Sequence, residues 1–128
     1  MQILLDTHAL IWHALDLGRL PDGTRDVIEN PASTVYVSAA SAWEIATKTR
    51  LGKMPGGRLA SDFVDTVQDE GYHILPVEAQ DAQDAGNLPG PHGDPFDRVL
   101  AAQALRRGLV LVSADTVLDQ FGVERVWA

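Results

Sequence analysis

The sequence predicts an α/β fold: a central parallel sheet of four to five strands with helices on both faces. Short apolar or β-branched runs alternate with helical segments along all 128 residues. The run "LVLV", residues 109 to 112, is apolar at every position, as a strand buried on both faces should be. Gly and Pro separate the segments, and no linker, repeat or low-complexity stretch divides them, so one domain over 1–128 is expected.

The elements follow in order. "QILLD" is a short apolar run ending in an acid, a buried strand. "THALIWHAL" is a helix with Leu10, Ile11, Ala14 and Leu15 on one face. Pro21 and Gly23 mark a turn before a short helix that ends at Asn30 and Pro31. "TVYVS" alternates and is β-branched, the second strand. "AASAWEIATKTRLG" is a helix closed by Gly52. "LASDFVDTVQDEG" reads as one helix with Leu59, Phe63, Val64 and Val67 in register. "YHILPV" is the third strand and leads through Pro76 into a helix near "EAQDAQDAGNL". "DPFDRVLAAQALRRG" is a helix closed by Gly108, followed by the strand in "LVLVSAD" and a short fifth strand in "VERVW".

Composition bounds the function. Hydrophobic residues make up 45% of the chain, enough for a packed core. With no Cys there is no disulfide, zinc-thiolate site or cysteine nucleophile, which is compatible with a reducing cytoplasm. No basic leader opens the sequence, and no uncharged apolar run approaches the ~18 residues of a membrane span. The formal charge is −8, which disfavours general binding to nucleic acid through phosphate neutralisation. Lys48, Arg50, Lys53 and Arg58 nevertheless put four of the ten bases in one segment. That cluster is either a solvated helix end or a rim for phosphate or a partner.

Ligands of parallel sheets bind beyond the carboxyl ends of the strands. Four acids fall there: Asp6 after "ILL", Glu44 in the helix after "TVYVS", Asp97 in the first turn of "DPFDR", and Asp115 after "LVLVSA". Each has an ordinary reading as a cap, a turn residue or an i,i+4 partner. As a set they are harder to explain. Asp97 shares the face of Leu100, Ala101 and Ala104, the small-residue side that packs on a sheet. Four converging carboxylates need protons or cations, and oxygen ligands without Cys suit Mg²⁺ or Mn²⁺. Such a site suits phosphodiester hydrolysis.

With these residues in hand, the chain resembles the PIN-domain ribonucleases of the VapC toxin type. The matching segments are "LLDTHALIW", "VYVSAASAWEIATK", "LGKM", "HGDPFDRVLAAQA" and "LVLVSAD", in family order over nearly the whole chain. The resemblance implies a PIN-like three-layer sandwich. It implies a Mg²⁺- or Mn²⁺-dependent endoribonuclease, the toxin of a toxin–antitoxin pair, forming a homodimer and held by a VapB-like antitoxin. By motif the catalytic and metal-binding acids fall on Asp6, Glu44, Asp97 and Asp115. Thr7 and Ser113 are implied as supporting hydroxyls; His92 is open to two readings, an assisting residue or a loop histidine. Asp94 reads as the helix N-cap, with Pro95 at the first helical position. Arg98 is open to two readings, a phosphate contact or a surface arginine.

Rival readings fit less well. A phosphatase with an aspartate nucleophile needs a second Asp at position 8, which is His8, and a phospho-receiver needs a Lys after its last strand, where none lies beyond Lys53. A PIN-like module that binds RNA or antitoxin without cleaving is the alternative kept. His8 and His13 lie five apart, off the spacing of two zinc ligands on one helix face. Trp12 and Trp43 are expected in the core or at a dimer contact rather than as base-stacking platforms.

Overall fold

The computed structural model describes all of residues 1–128. Five strands form one sheet: β1 (Gln2–Leu5), β2 (Thr34–Ser38), β3 (His73–Leu75), β4 (Val110–Val112) and β5 (Arg125–Val126). Their spatial order is β3-β2-β1-β4-β5, and every pairing is parallel. The helices are α1 (Thr7–Ala14), α2 (Asp22–Glu29), α3 (Ala39–Arg50), α4 (Gly57–Ser61), α5 (Phe63–Asp69), α6 (Ala79–Asn87) and α7 (Pro95–Arg107). A 3-10 turn covers Thr116–Phe121.

Alternate strand residues feed two cores, because side chains leave a strand on opposite faces. Ile3, Leu5, Val35, Val37, Val110 and Val112 pack with Leu10 of α1, Ile28 of α2, Ile45 of α3, Leu59 of α4 and Val67 of α5. Leu4, Leu75 and Leu111 face the other way, onto Leu100, Ala101 and Ala104 of α7 and onto Leu118 and Phe121. The expected three-layer sandwich is present. No helix is long and apolar enough to cross a membrane.

One expected helix is two. The chain breaks at Asp62, whose φ of −150° and ψ of 63° are not helical, so α4 and α5 meet at an angle. The break takes Val64 out of the expected register; it is 52% exposed, while Leu59 and Val67 are fully buried. The C-terminal caps are of the expected kind. Gly108 closes α7 with φ 63°, the left-handed region that glycine enters without Cβ strain.

The order of the strands positions the site. From β1 the chain winds outward through β2 and β3, then returns to lay β4 on the other side of β1. The segments leaving β1 and β4 therefore diverge, and a crevice opens at their carboxyl ends.

Candidate active site

Asp6 and Ser113 stand at that crevice. The Asp6 amide donates to the Val112 carbonyl at 3.0 Å, which extends the β1–β4 ladder to the last residue before the turn. The Asp6 side chain then caps α1, accepting from the Ala9 amide at 2.8 Å. Asp6 is 8% exposed, and burial pushes its carboxyl up to about 6. Hydrogen bonds from Ser113 and Ala9 oppose the shift, and the charge on Asp97 adds to it.

Glu44 arrives from α3. Ser38, the last residue of β2, caps that helix through the Ala40 amide and sets its first turn over the strand ends. Glu44 is 3% exposed. Its Oε1 accepts from the Thr7 hydroxyl at 2.5 Å, and its Oε2 accepts from Lys48 Nζ at 2.5 Å. The Ser41 hydroxyl lies 3.1 Å from that of Thr7. Burial alone would lower the Lys48 ammonium; the hydrogen bond to Glu44 and the nearby Asp94 and Asp97 outweigh it and raise it.

Asp97 comes from α7. Asp94 caps the helix by accepting from the Asp97 amide at 3.0 Å, with Pro95 at the first turn. Leu100, Ala101 and Ala104 are buried, so the Asp97 face of the helix is the one laid on the sheet. Burial raises the Asp97 carboxyl, with Asp94 and Glu44 adding to the rise. His92 opposes it, its Nε2 lying 2.8 Å from Asp97 Oδ2.

These groups line one cavity of about 260 Å³ with no apolar residue in its wall. Asp6, Glu44, Asp94, Asp97 and Asp115 supply five carboxylates; Thr7, His8, Lys48 and His92 complete it. Asp115 caps the 3-10 turn by accepting from the Val117 amide, and its own amide donates to Ser113 Oγ at 3.0 Å. The donors are hard oxygens, and burial with neighbouring carboxylates raises Asp6 and Asp97, so the chemistry fits a divalent cation. As the side chains stand, no three of the Asp, Glu and His groups are arranged to hold a metal ion. Lys48 instead neutralises Glu44 from within, and His92 is hydrogen-bonded to Asp97.

The PIN domain family model matches residues 3–124. The chain belongs to the PIN domain family. Ribonuclease VapC22 of Mycobacterium tuberculosis is 30% identical over 116 residues, which cover 88% of this chain and 86% of that protein. Ribonuclease VapC16 of the same organism is 38% identical over 56 residues, and the match spans 43% of this chain and only 40% of VapC16. Among solved structures, VapBC2 from Rickettsia felis bound to a promoter DNA fragment aligns with a TM-score of 0.69 at 16% identity over the full length of both chains. VapBC-1 from nontypeable Haemophilus influenzae aligns at 0.68 and 19% identity, over 98% of this chain and 97% of that one.

Within this PIN fold, Asp6, Thr7, Glu44, His92, Asp94, Asp97 and Asp115 meet in one cavity, and Ser113 lies buried behind it. Arg98 does not join them. Its guanidinium turns inward and donates to the carbonyls of Ala85, Leu88 and His92, and it lies over the Phe121 ring. A phosphate contact is therefore replaced by an anchor for the loop after α6 that carries His92. The basic rim also divides. Lys48 points into the cavity and Arg58 faces Asp69, whereas Arg50 and Lys53 make no ion pair. Trp12 packs on Trp127 as a core-side residue, but Trp43 is 67% exposed. Three residues escaped the sequence reading. Ser41 is one i−3 step from Glu44 and was legible as a helix-face neighbour. His8 lines the cavity two residues after Asp6. Asp81, fully buried between α6 and α7, left no signal in an acidic helix where several acids look alike.

Proposed function

We propose that this chain is an endoribonuclease toxin that hydrolyses RNA phosphodiesters at the Asp6–Glu44–Asp97–Asp115 cavity, using Mg²⁺ or Mn²⁺. The observation that carries this is the cavity itself: carboxylates from the ends of β1 and β4 and from α3 and α7 share a wholly polar space, in a chain alignable with a VapC ribonuclease over most of its length. A divalent cation held by these acids would polarise the phosphate and acidify a water beside it.

The residues have separate tasks. Asp6, buried at the exit of β1 and fixed by the Ala9 amide, is placed to hold the cation, whose charge would draw its carboxyl back down to the ionised form. Thr7 and Lys48 fix both oxygens of Glu44. Cation binding would take over the charge that Lys48 now balances, freeing its ammonium to meet a phosphate oxygen. His92 holds Asp97 and is aimed by the loop that Arg98 pins. Because neighbours of the same fold were solved as VapBC pairs, we assign a VapB-like protein antitoxin as partner, with a homodimer as the assembled toxin and the cytoplasm as its setting. All of residues 1–128 act as one PIN domain in this reading.

Sequencing RNA ends after expressing the protein beside Asp6→Asn tests the proposal. New 5′ ends should appear with the wild type and vanish with the variant, and purified protein should lose cleavage in excess chelator. Full activity in chelator would sink it. The internal pairing of Lys48 with Glu44 and His92 with Asp97 favours one second reading, a non-cleaving module that binds RNA or antitoxin. Calorimetric titration separates the two: Mg²⁺ or Mn²⁺ heats that disappear in Asp6→Asn support the enzyme, and no heat supports the module.

A further inference from the structure

Trp43 is the most exposed of the large apolar side chains, at 67%. It is not a stray residue of the surface. It immediately precedes Glu44, and the ring it touches, Phe96, immediately precedes Asp97. The two rings meet at 5.0 Å between centroids, close to edge-on at 74°. Such a contact holds the indole in place and covers at most one of its faces. Lys48, which lines the acidic cavity, has its Nζ 5.7 Å from the Phe96 centroid, so this aromatic pair borders the cavity without entering its wall.

The same helix carries spare positive charge. Of the ten Lys and Arg side chains, Arg19, Arg50 and Lys53 alone make no ion pair or side-chain hydrogen bond. Arg50 is the last residue of α3, and Lys53 stands in the turn three residues beyond it. Arg50 is seven residues from Trp43, two helical turns along the same exposed face and about 10 Å away. Ala46, also exposed, lies between them and leaves the path open. A flat aromatic face followed by unpaired cations is how single-stranded nucleic acid is held without base-specific hydrogen bonds.

We propose that Trp43, braced by Phe96, stacks a base of the substrate strand beside the cavity, and that Arg50 and Lys53 hold the phosphates beyond it. This rests on the ribonuclease reading for the identity of the strand. It makes Trp43 a positioning residue: it sets which phosphate enters the cavity and takes no part in the chemistry.

The test is a coupling experiment in chelator, where binding is read without cleavage. Labelled short single-stranded RNA is titrated with the full chain and with Trp43→Ala, Trp43→Phe and Arg50→Ala. Trp43→Ala should weaken binding by about 5- to 150-fold, the range of one stacked base. Trp43→Phe should restore most of it. An abasic scan of the RNA should find one position where removing the base weakens the wild type and leaves Trp43→Ala unaffected. Equal abasic penalties in both proteins at every position would overturn the proposal. So would wild-type affinity in Trp43→Ala, including the case where light scattering shows that the variant has lost self-association instead. If coupling appears but the wild type cleaves no RNA with Mg²⁺ or Mn²⁺, the stacking site stands and the ribonuclease reading falls.

Discussion

Asp6 combines two demands that conflict. Its cap to Ala9 favours an ionised carboxylate, yet burial holds the proton up to about pH 6 against an ordinary 3.8. Below pH 3.8 the group is neutral in folded and unfolded chains, and it costs nothing. Between 3.8 and 6 the unfolded chain ionises first, so stability falls as pH rises. Above 6 the loss levels off at about 3 kcal/mol. Asp6→Asn keeps an acceptor for the Ala9 amide and removes the charge. In chelator at pH 8 this variant should therefore unfold several degrees above the wild type, and at pH 3.5 the two should coincide. Thermal melts at both pH values decide it; an Asn variant less stable at pH 8 would refute the account. Adding Mg²⁺ should raise the melting temperature of the wild type more than that of the variant. The position of Asp6 was legible because a strand exit followed by a helix start admits few side chains. The fate of Arg98 was not. It stands beside Asp97 in sequence, but the carbonyls of a tightly turned loop attract it inward, and backbone carbonyls leave no residue-type signature.

At the scale of elements, α6 and α7 are joined by charge as well as packing. Asp81 has no solvent access and accepts from Arg106 and Arg107, each at 2.7 Å. Burial alone would raise its carboxyl; the arginines and the Glu78 amide outweigh it and hold it down at about 2. The stabilisation, about 2 kcal/mol, is complete above pH 3.8 and is lost as pH falls toward 2. Asp81→Asn should thus be less stable than the wild type by about that amount at pH 7, with the gap closing below pH 3 in urea titrations. The start of α7 gives a second expectation. Asp94→Ala should cost about 1 kcal/mol of unfolding free energy and Asp94→Asn almost nothing, since Asn caps as well as Asp. Equal losses in both would mean that the Asp94 charge, not its cap, matters to the fold. Caps of this kind made the ends of α7 readable from "DPFD" and "RRG". The break at Asp62 was not readable. The apolar spacing of residues 59–67 fits one helix, and only the packing of Leu59 and Val67 onto the sheet decides that the axis turns between them.

For the whole molecule, alternating strands and helices in the sequence already implied a parallel sheet. The placement of β4 beside β1, which brings residues 3 and 110 into register, depends on how the helices cross over and is visible only in the fold. That placement creates the cavity, and it concentrates five of the eighteen acids there. A chain of charge −8 cannot hold RNA by its overall field. It must do so through a small patch, and Arg50 with Lys53 is the patch near the cavity that no acid neutralises. Each phosphate neutralised on a single strand contributes about −0.7 to the slope of log affinity against log salt. Two contacts predict a slope of about −1.4 for RNA binding measured in KCl with chelator. Arg50→Ala should bring it to about −0.7, while Arg19→Ala should leave it unchanged. A wild-type slope several times steeper would mean a broad electrostatic footprint, and a base stacked on Trp43 would then no longer be needed to explain how so acidic a protein selects its strand.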